Sequence, residues 1–208
     1  MSRIAAALVL LGAFPAMAED LTAVSAGYRL MGLPDFAYGS SAADHQPFYG
    51  HGVALSYDTG DTDAYWTVGM GILPLATPDG YWRAADVEVS EGAFAEFEVT
   101  YLSFFAAHSW RFDIANRFYL LLTGGLGVVF VAGDIYVTEL VAGCEGDITT
   151  CGHWREVTRH PVEIEYRVLP AVQASASAGY EVLDALNVSL DAGFFNLPFV
   201  GLSAQYRM

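Results

Sequence analysis

The chain has 208 residues, with 24 acidic against 9 basic side chains, a formal net charge of −15, and arginine at every basic position. A surface this acidic repels a phosphate backbone, so nucleic acid is excluded as a partner. Hydrophobic residues make up 54% of the chain, yet no stretch stays apolar long enough for a spanning helix: the longest, 120–132, is broken by Gly124, Gly125 and Gly127.

The N-terminus reads as a secretory signal. Arg3 supplies the positive start, residues 4–14 an apolar run too short to span a bilayer, and Ala16-Met17-Ala18 a small-residue cleavage site. Residues 1–18 are therefore expected to be removed, leaving 19–208 as a single domain. No cysteine follows the small residues, which argues against a lipid anchor.

The remainder alternates with period two, the signature of strands with unlike faces. In chain order, 21–33 sets Val24, Ala26, Tyr28 and Leu30 against Ser25, Gly27 and Arg29. Segment 49–58 sets Val53, Leu55 and Tyr57 against Gly52, Ala54, Ser56 and Asp58, and 65–73 sets Trp66, Val68, Met70 and Ile72 against Thr67, Gly69 and Gly71. In 93–110 the reading places Phe97, Val99, Tyr101 and Phe105 on the apolar face and Glu96, Glu98, Thr100 and His108 on the polar one. Segment 117–131 opposes Phe118, Leu120, Leu122, Leu126, Val128 and Phe130 to Thr123, Gly125 and Gly127. The longest stripe, 162–182, carries Val162, Ile164, Tyr166, Val168, Val172 and Tyr180 opposite Glu163, Glu165, Arg167, Gln173 and Glu181. Segments 187–195 and 199–208 close the series, the latter alternating Val200, Leu202, Ala204, Tyr206 and Met208 with Gly201, Ser203, Gln205 and Arg207.

Eight strands in series need two rims, and the connections sort into two kinds. Short turns fall at 59–63, 111–116 and 183–186; longer ones fall at 34–47, 74–92 and 133–160, with only 196–198 breaking the trend. The pattern is that of an all-β, eight-stranded antiparallel transmembrane β-barrel with short periplasmic turns and longer extracellular loops. A soluble barrel would turn the aliphatic face inward. Against it, the polar face is rich in Gly and Ser, which suit a narrow lumen, and Tyr57, Trp66, Phe118, Tyr180 and Tyr206 gather where membrane interfaces would lie.

On these features, residues 21–208 resemble the small eight-stranded outer-membrane barrels of Gram-negative bacteria, the OmpA transmembrane-domain and OmpX-like superfamily. The resemblance implies localisation in the cell outer membrane, contact with its lipid and lipopolysaccharide, and a monomer. It also implies that the last strand, with Tyr206 and Met208, is the signal read by the barrel-assembly machinery, although that family usually ends in Phe. A lumen filled by side chains is implied as well, so Arg29, Asp58, Glu96, Glu98, His108, Glu163, Glu165, Arg167, Asp191 and Arg207 are expected to form an inward polar network, since buried charges need partners.

No cofactor or metal is expected. Cys144 and Cys151 flank a turn-rich acidic segment of an exported chain and predict a local disulfide. Strands five and six exceed the roughly 25 Å apolar band and are expected to project as a ribbon with free edges, open to an extracellular protein or surface ligand. Pro170, in a closed barrel without edges, predicts a bulge. A lipid A acyl-modifying enzyme would need Ser and His on one lipid-facing wall, whereas His108 and Ser109 are neighbours and point oppositely. The function these features imply is non-catalytic, structural or surface-interacting, with the lipid A enzyme and a small ion channel as alternatives.

Overall fold

A computed structural model describes residues 21–34, 42–86, 92–139, 159–165 and 167–208. The expected signal peptide, Cys144 and Cys151 lie outside the described residues. Eleven strands are present among those residues: β1 (Leu21–Leu33), β2 (Ala42–Asp44), β3 (Phe48–Gly60), β4 (Ala64–Pro74), β5 (Gly80–Ala84), β6 (Ala93–Ala115), β7 (Phe118–Glu139), β8 (His160–Val162), β9 (Val168–Leu183), β10 (Leu186–Phe195) and β11 (Leu197–Arg207). Eight of them, β1, β3, β4, β6, β7, β9, β10 and β11, pair antiparallel each with the next along the chain, and β1 pairs β11 to close the ring. Closure leaves the wall without an edge.

The faces sort as a membrane wall requires. Val24, Leu55, Met70, Phe104, Leu126, Val172, Leu190 and Leu202 all point outward and are exposed. Along β6 the exposed apolar positions run from Leu102 to Ile114, about 40 Å of strand and, at a tilt near 45°, about 28 Å of height, close to the apolar band of such barrels. Near the short-turn rim the belt ends in Tyr57, Trp110, Phe112, Phe118, Tyr180 and Tyr206, with the Phe118 and Tyr180 rings 4.7 Å apart on paired positions. Among the described residues no helix is long and apolar enough to cross a membrane.

Inward positions carry small residues where a ring must fit. A Cβ on Gly179 would stand 2.1 Å from Cζ of Tyr119, and one on Gly69 would stand 2.5 Å from Cζ of Phe105. At these two positions the absent side chain leaves the space that a lumenal aromatic ring occupies.

Several expectations are corrected. In β6 the phase is reversed: Val99, Tyr101, Ser103, Phe105, Ala107 and Ser109 face the interior, while Leu102, Phe104, His108 and Trp110 face out. The long sixth stripe is also divided, because 163–165 are not strand and β9 begins only at Val168. The ribbon rising above the wall is β6 with β7, since β4 stops pairing at Thr100 and β9 stops at Phe130, while β6 and β7 stay paired up to Ala93 and Glu139. Its edges are not free either: β5 joins β6, β2 joins β5, and β8 joins β7, making a five-stranded sheet above the barrel.

Pro170 makes no bulge, since the register passes through Val128 and Pro170 without a shift. Val172 exchanges hydrogen bonds with Asn196 on the β10 side, so Pro170, two residues earlier, turns its nitrogen to that same side, beyond the end of β10. A missing donor costs nothing there. Asn196, at φ 55°, completes the junction by donating from Nδ2 to the Pro170 carbonyl at 2.8 Å.

Candidate functional site

The lumen is built in layers. At the short-turn rim, Glu181 accepts from Arg111 at 2.7 Å and from Arg207 at 3.2 Å, and Asp113 accepts from Arg111 at 2.8 Å. The Arg111 guanidinium lies 4.1 Å from the ring centre of Tyr119, and Tyr65, Leu21 and Ala23 are buried beside this layer. It closes the bottom of the barrel with paired charge and aromatic mass.

Above it, Asp58 is 2% exposed and accepts three neutral donors: Ser25 at 2.6 Å, Thr67 at 2.7 Å and Gln205 at 2.8 Å. Gln205 also accepts from Asn187 at 2.9 Å. Ser109 shares a hydrogen bond with Thr123, and Ser189 with Ser203, while Ser189 donates to Asp191. Hydroxyls and an amide from four strands, β1, β4, β10 and β11, thus satisfy the lumenal carboxylates of Asp58 and Asp191 without a cation in direct contact.

The upper half is different. Arg29 lies over the rings of Phe199 and Phe105, 4.7 and 5.7 Å from their centres. From there to the long-loop rim the lumen is apolar, with Met31, Leu73, Phe105, Val129, Ala171, Phe195 and Phe199 buried together and Leu75, Tyr101, Leu169 and Leu197 packed on them. The sequence reading missed this layer, because an apolar inner face beside an apolar outer face removes the period-two contrast that marks a strand.

Of the residues expected in the lumen, Arg29, Asp58, Asp191 and Arg207 face inward. Glu96, Glu98, Glu163, Glu165, Arg167 and His108 do not, and are corrected. His108 sits on the outer wall between Trp66 and Trp110, with ring centres 4.9 and 4.6 Å away. Glu98, Glu163 and Glu165 are exposed above the belt. There, Glu96 accepts from Arg159 at 2.5 Å and Asp134 from Arg167 at 3.0 Å. Arg159 also lies 3.8 Å from the ring centre of Tyr136, and its bond with Glu96 raises the guanidinium further above its ordinary value.

On the odd-numbered face of the ribbon, Phe97 packs edge-on to Trp82 at 5.6 Å and to Phe48 at 6.3 Å. This aromatic seam holds β5 and the start of β3 against β6. Ser109 and His108 lie on opposite faces of β6, with Ser109 2% exposed in the lumen. Among the described residues, no three His, Cys, Asp or Glu side chains gather closely enough to hold a metal ion.

No protein-family model and no curated protein matches the sequence. Solved structures with a similar arrangement include Neisserial surface protein A, at 9% identity over 92% of this chain and 99% of that one with a TM-score of 0.49. Two structures of Ail from Yersinia pestis are also similar. The one in a phospholipid bilayer nanodisc has 15% identity over 90% of this chain and 99% of that one, TM-score 0.44; the one in complex with the heparin analogue sucrose octasulfate has 13% identity over 92% and 100%, TM-score 0.44. A likeness at this level carries no information about function, which rests on this chain's own residues.

Proposed function

We propose that this is a non-catalytic barrel of the Gram-negative outer membrane that holds a strand sheet at the cell surface for contact with an extracellular partner. The observation that carries the reading is the continuation of β6 and β7 beyond an outward apolar belt, from Thr100 to Ala93 and from Phe130 to Glu139. A structural barrel has no need of a sheet raised above its own wall. In this reading residues 1–18 direct export and are cleaved, and the strand ending in Tyr206 and Met208 is recognised by the barrel-assembly machinery. Cys144 and Cys151 form a disulfide at the tip, and the mature chain is a monomer among outer-membrane lipid and lipopolysaccharide.

The charge selects the partner. Arg159 and Arg167 on the extension are already engaged by Glu96 and Asp134, and the chain carries a net charge of −15. A partner presenting cations therefore fits, and a polyanion does not. Against catalysis stands the separation of Ser109 from His108, which denies this pair a shared lipid-facing wall. Against conduction stand the ion-paired floor and the apolar upper lumen, which offer an ion no continuous polar path.

The test has three arms. Purified chain should migrate differently on SDS gels before and after boiling, as folded barrels do. Cells displaying the intact chain should retain a cationic partner surface, and cells displaying the chain without residues 141–155 should lose it while keeping the heat-dependent shift. Lipid A masses should be the same with and without the gene. Retention of partner binding by the shortened chain rejects the tip as the site, and an acyl change in lipid A rejects the non-catalytic reading.

A further inference from the structure

The surface role leaves unused an apolar hollow inside the barrel. Its volume is about 310 Å³, and it is lined by Met31, Leu73, Tyr101, Val129, Leu169 and Leu197, with Arg29 at its inner end. Small-ligand pockets begin at about this size. A membrane barrel of eight strands has just enough interior for side chains to fill, so space of this extent under the long-loop rim is a departure from close packing.

Arg29 gives the hollow its chemistry. Its guanidinium borders both the apolar space above and a smaller polar cavity of about 100 Å³ below. Among the described residues it meets the faces of Phe105 and Phe199 rather than a hydrogen-bond acceptor. Asp191, the acid whose field reaches it, is itself bonded by Ser189. Glu181 is held by Arg111 and Arg207, and Asp58 by three neutral donors. These lumenal acids thus have their own partners, while the fork of Arg29 keeps its donors for something else. Planar guanidinium donors match a carboxylate two at a time, and they do so most strongly where water is scarce.

We propose that the upper lumen is a binding cup for a small amphipathic carboxylic acid, its carboxylate on Arg29 and its short hydrocarbon body among Met31, Leu73, Val129 and Leu169. The ligand enters from the long-loop rim, where Leu33 and Leu197 border the hollow. The acid sits head down, because among the described residues the only cation lining the hollow is at its inner end.

Octanoate is the probe and octanol, with the same chain and no charge, the control, titrated calorimetrically into the full folded chain in nanodiscs against empty nanodiscs. Octanoate should saturate at one per chain and bind at least tenfold more tightly than octanol. Val129→Trp, which fills the hollow, should abolish binding of both while the heat-dependent gel shift persists; Leu169→Trp serves if the first variant does not fold. Arg29→Gln should remove the preference for octanoate and leave octanol unchanged. Equal affinity of the native chain for the two probes overturns the acid as the ligand. Undiminished octanoate binding in the filled variants overturns the cup.

Discussion

Asp58 concentrates the cost of building a polar lumen at one residue. Its carboxylate is 2% exposed and satisfies Ser25, Thr67 and Gln205 at once. Asp58→Ala takes the acceptor from three donors deep in the lumen and should cost on the order of 2–4 kcal/mol. Asp58→Asn keeps the shape and two hydroxyl partners that can reverse, and should cost less than half as much. Urea unfolding of the chain in lipid vesicles, followed by tryptophan fluorescence, measures both, and equal losses would show that charge and not connectivity matters. Glycines divide in the same way by face. Gly179→Ala drives a Cβ against a Tyr119 ring already stacked by Arg111 and should lose about 1–3 kcal/mol. Gly124, on the outer face, would bring its Cβ no nearer than 3.9 Å to Trp110, so Gly124→Ala should be neutral or slightly stabilising.

At the scale of an element, the ribbon leaves the wall at one residue. Gly133 has φ of 100°, pairs with Val99 just above the last rungs to β4 and β9, and would set a Cβ against the Glu98 carbonyl. Both the dihedral and the contact exclude a side chain, so Gly133→Ala should strain the bend by about 1–3 kcal/mol. The strain should stay local: limited proteolysis should cut above the bend faster, while the urea midpoint of the barrel stays put. A fall in that midpoint would mean that the sheet above and the wall below unfold together. The same boundary explains what was legible in the sequence. In β1, β3, β4, β7, β10 and β11, which alternate cleanly within the membrane, strand position and outward face could be read from residues such as Val53, Leu55 and Tyr57. In β6 they could not, for two physical reasons. Leu102 and Phe104 face lipid while Tyr101 and Phe105 fill an apolar lumen, so the contrast between faces vanishes. Above the belt, water replaces lipid outside, and Glu96 and Glu98 sit where the lipid-facing row continues. Read as one stripe, acids from above the membrane set the phase for residues within it. Glu163, Glu165 and Arg167 misled in the same way, by carrying the period of β9 across a break that pairing, not pattern, creates. The cup around Arg29 was illegible because its lining is spread over several strands and is as apolar as the belt.

For the whole molecule, the decisive property is which solvent the belt meets. A soluble protein leaves scattered apolar residues in water, but its contiguous apolar patches are limited to a few hundred Å²; here exposed Leu, Val, Phe and Met positions encircle all eight wall strands. The polar contents are enclosed by the same wall, since Asp58, Asn187 and Ser109 are at most 2% exposed. This arrangement is stable only if hydrocarbon takes the place of water around the ring. Substitution at the middle of the belt therefore has opposite consequences in the two solvents. Leu126 is 67% exposed and lies midway along the wall portion of β7. In water, Leu126→Arg at so open a position would change stability by no more than about 0.5 kcal/mol and would improve solubility. In a bilayer it places a guanidinium near the midplane and should cost about 2–4 kcal/mol, whereas Leu183→Arg, 61% exposed at the short-turn rim, should cost about 0–1 kcal/mol. Reversible urea unfolding in vesicles compares the three chains directly. A loss at Leu126 well above that at Leu183 places the ring in lipid with its middle at that height, and equal, negligible losses would place the greasy face in water and remove the ground for every statement about the cell surface.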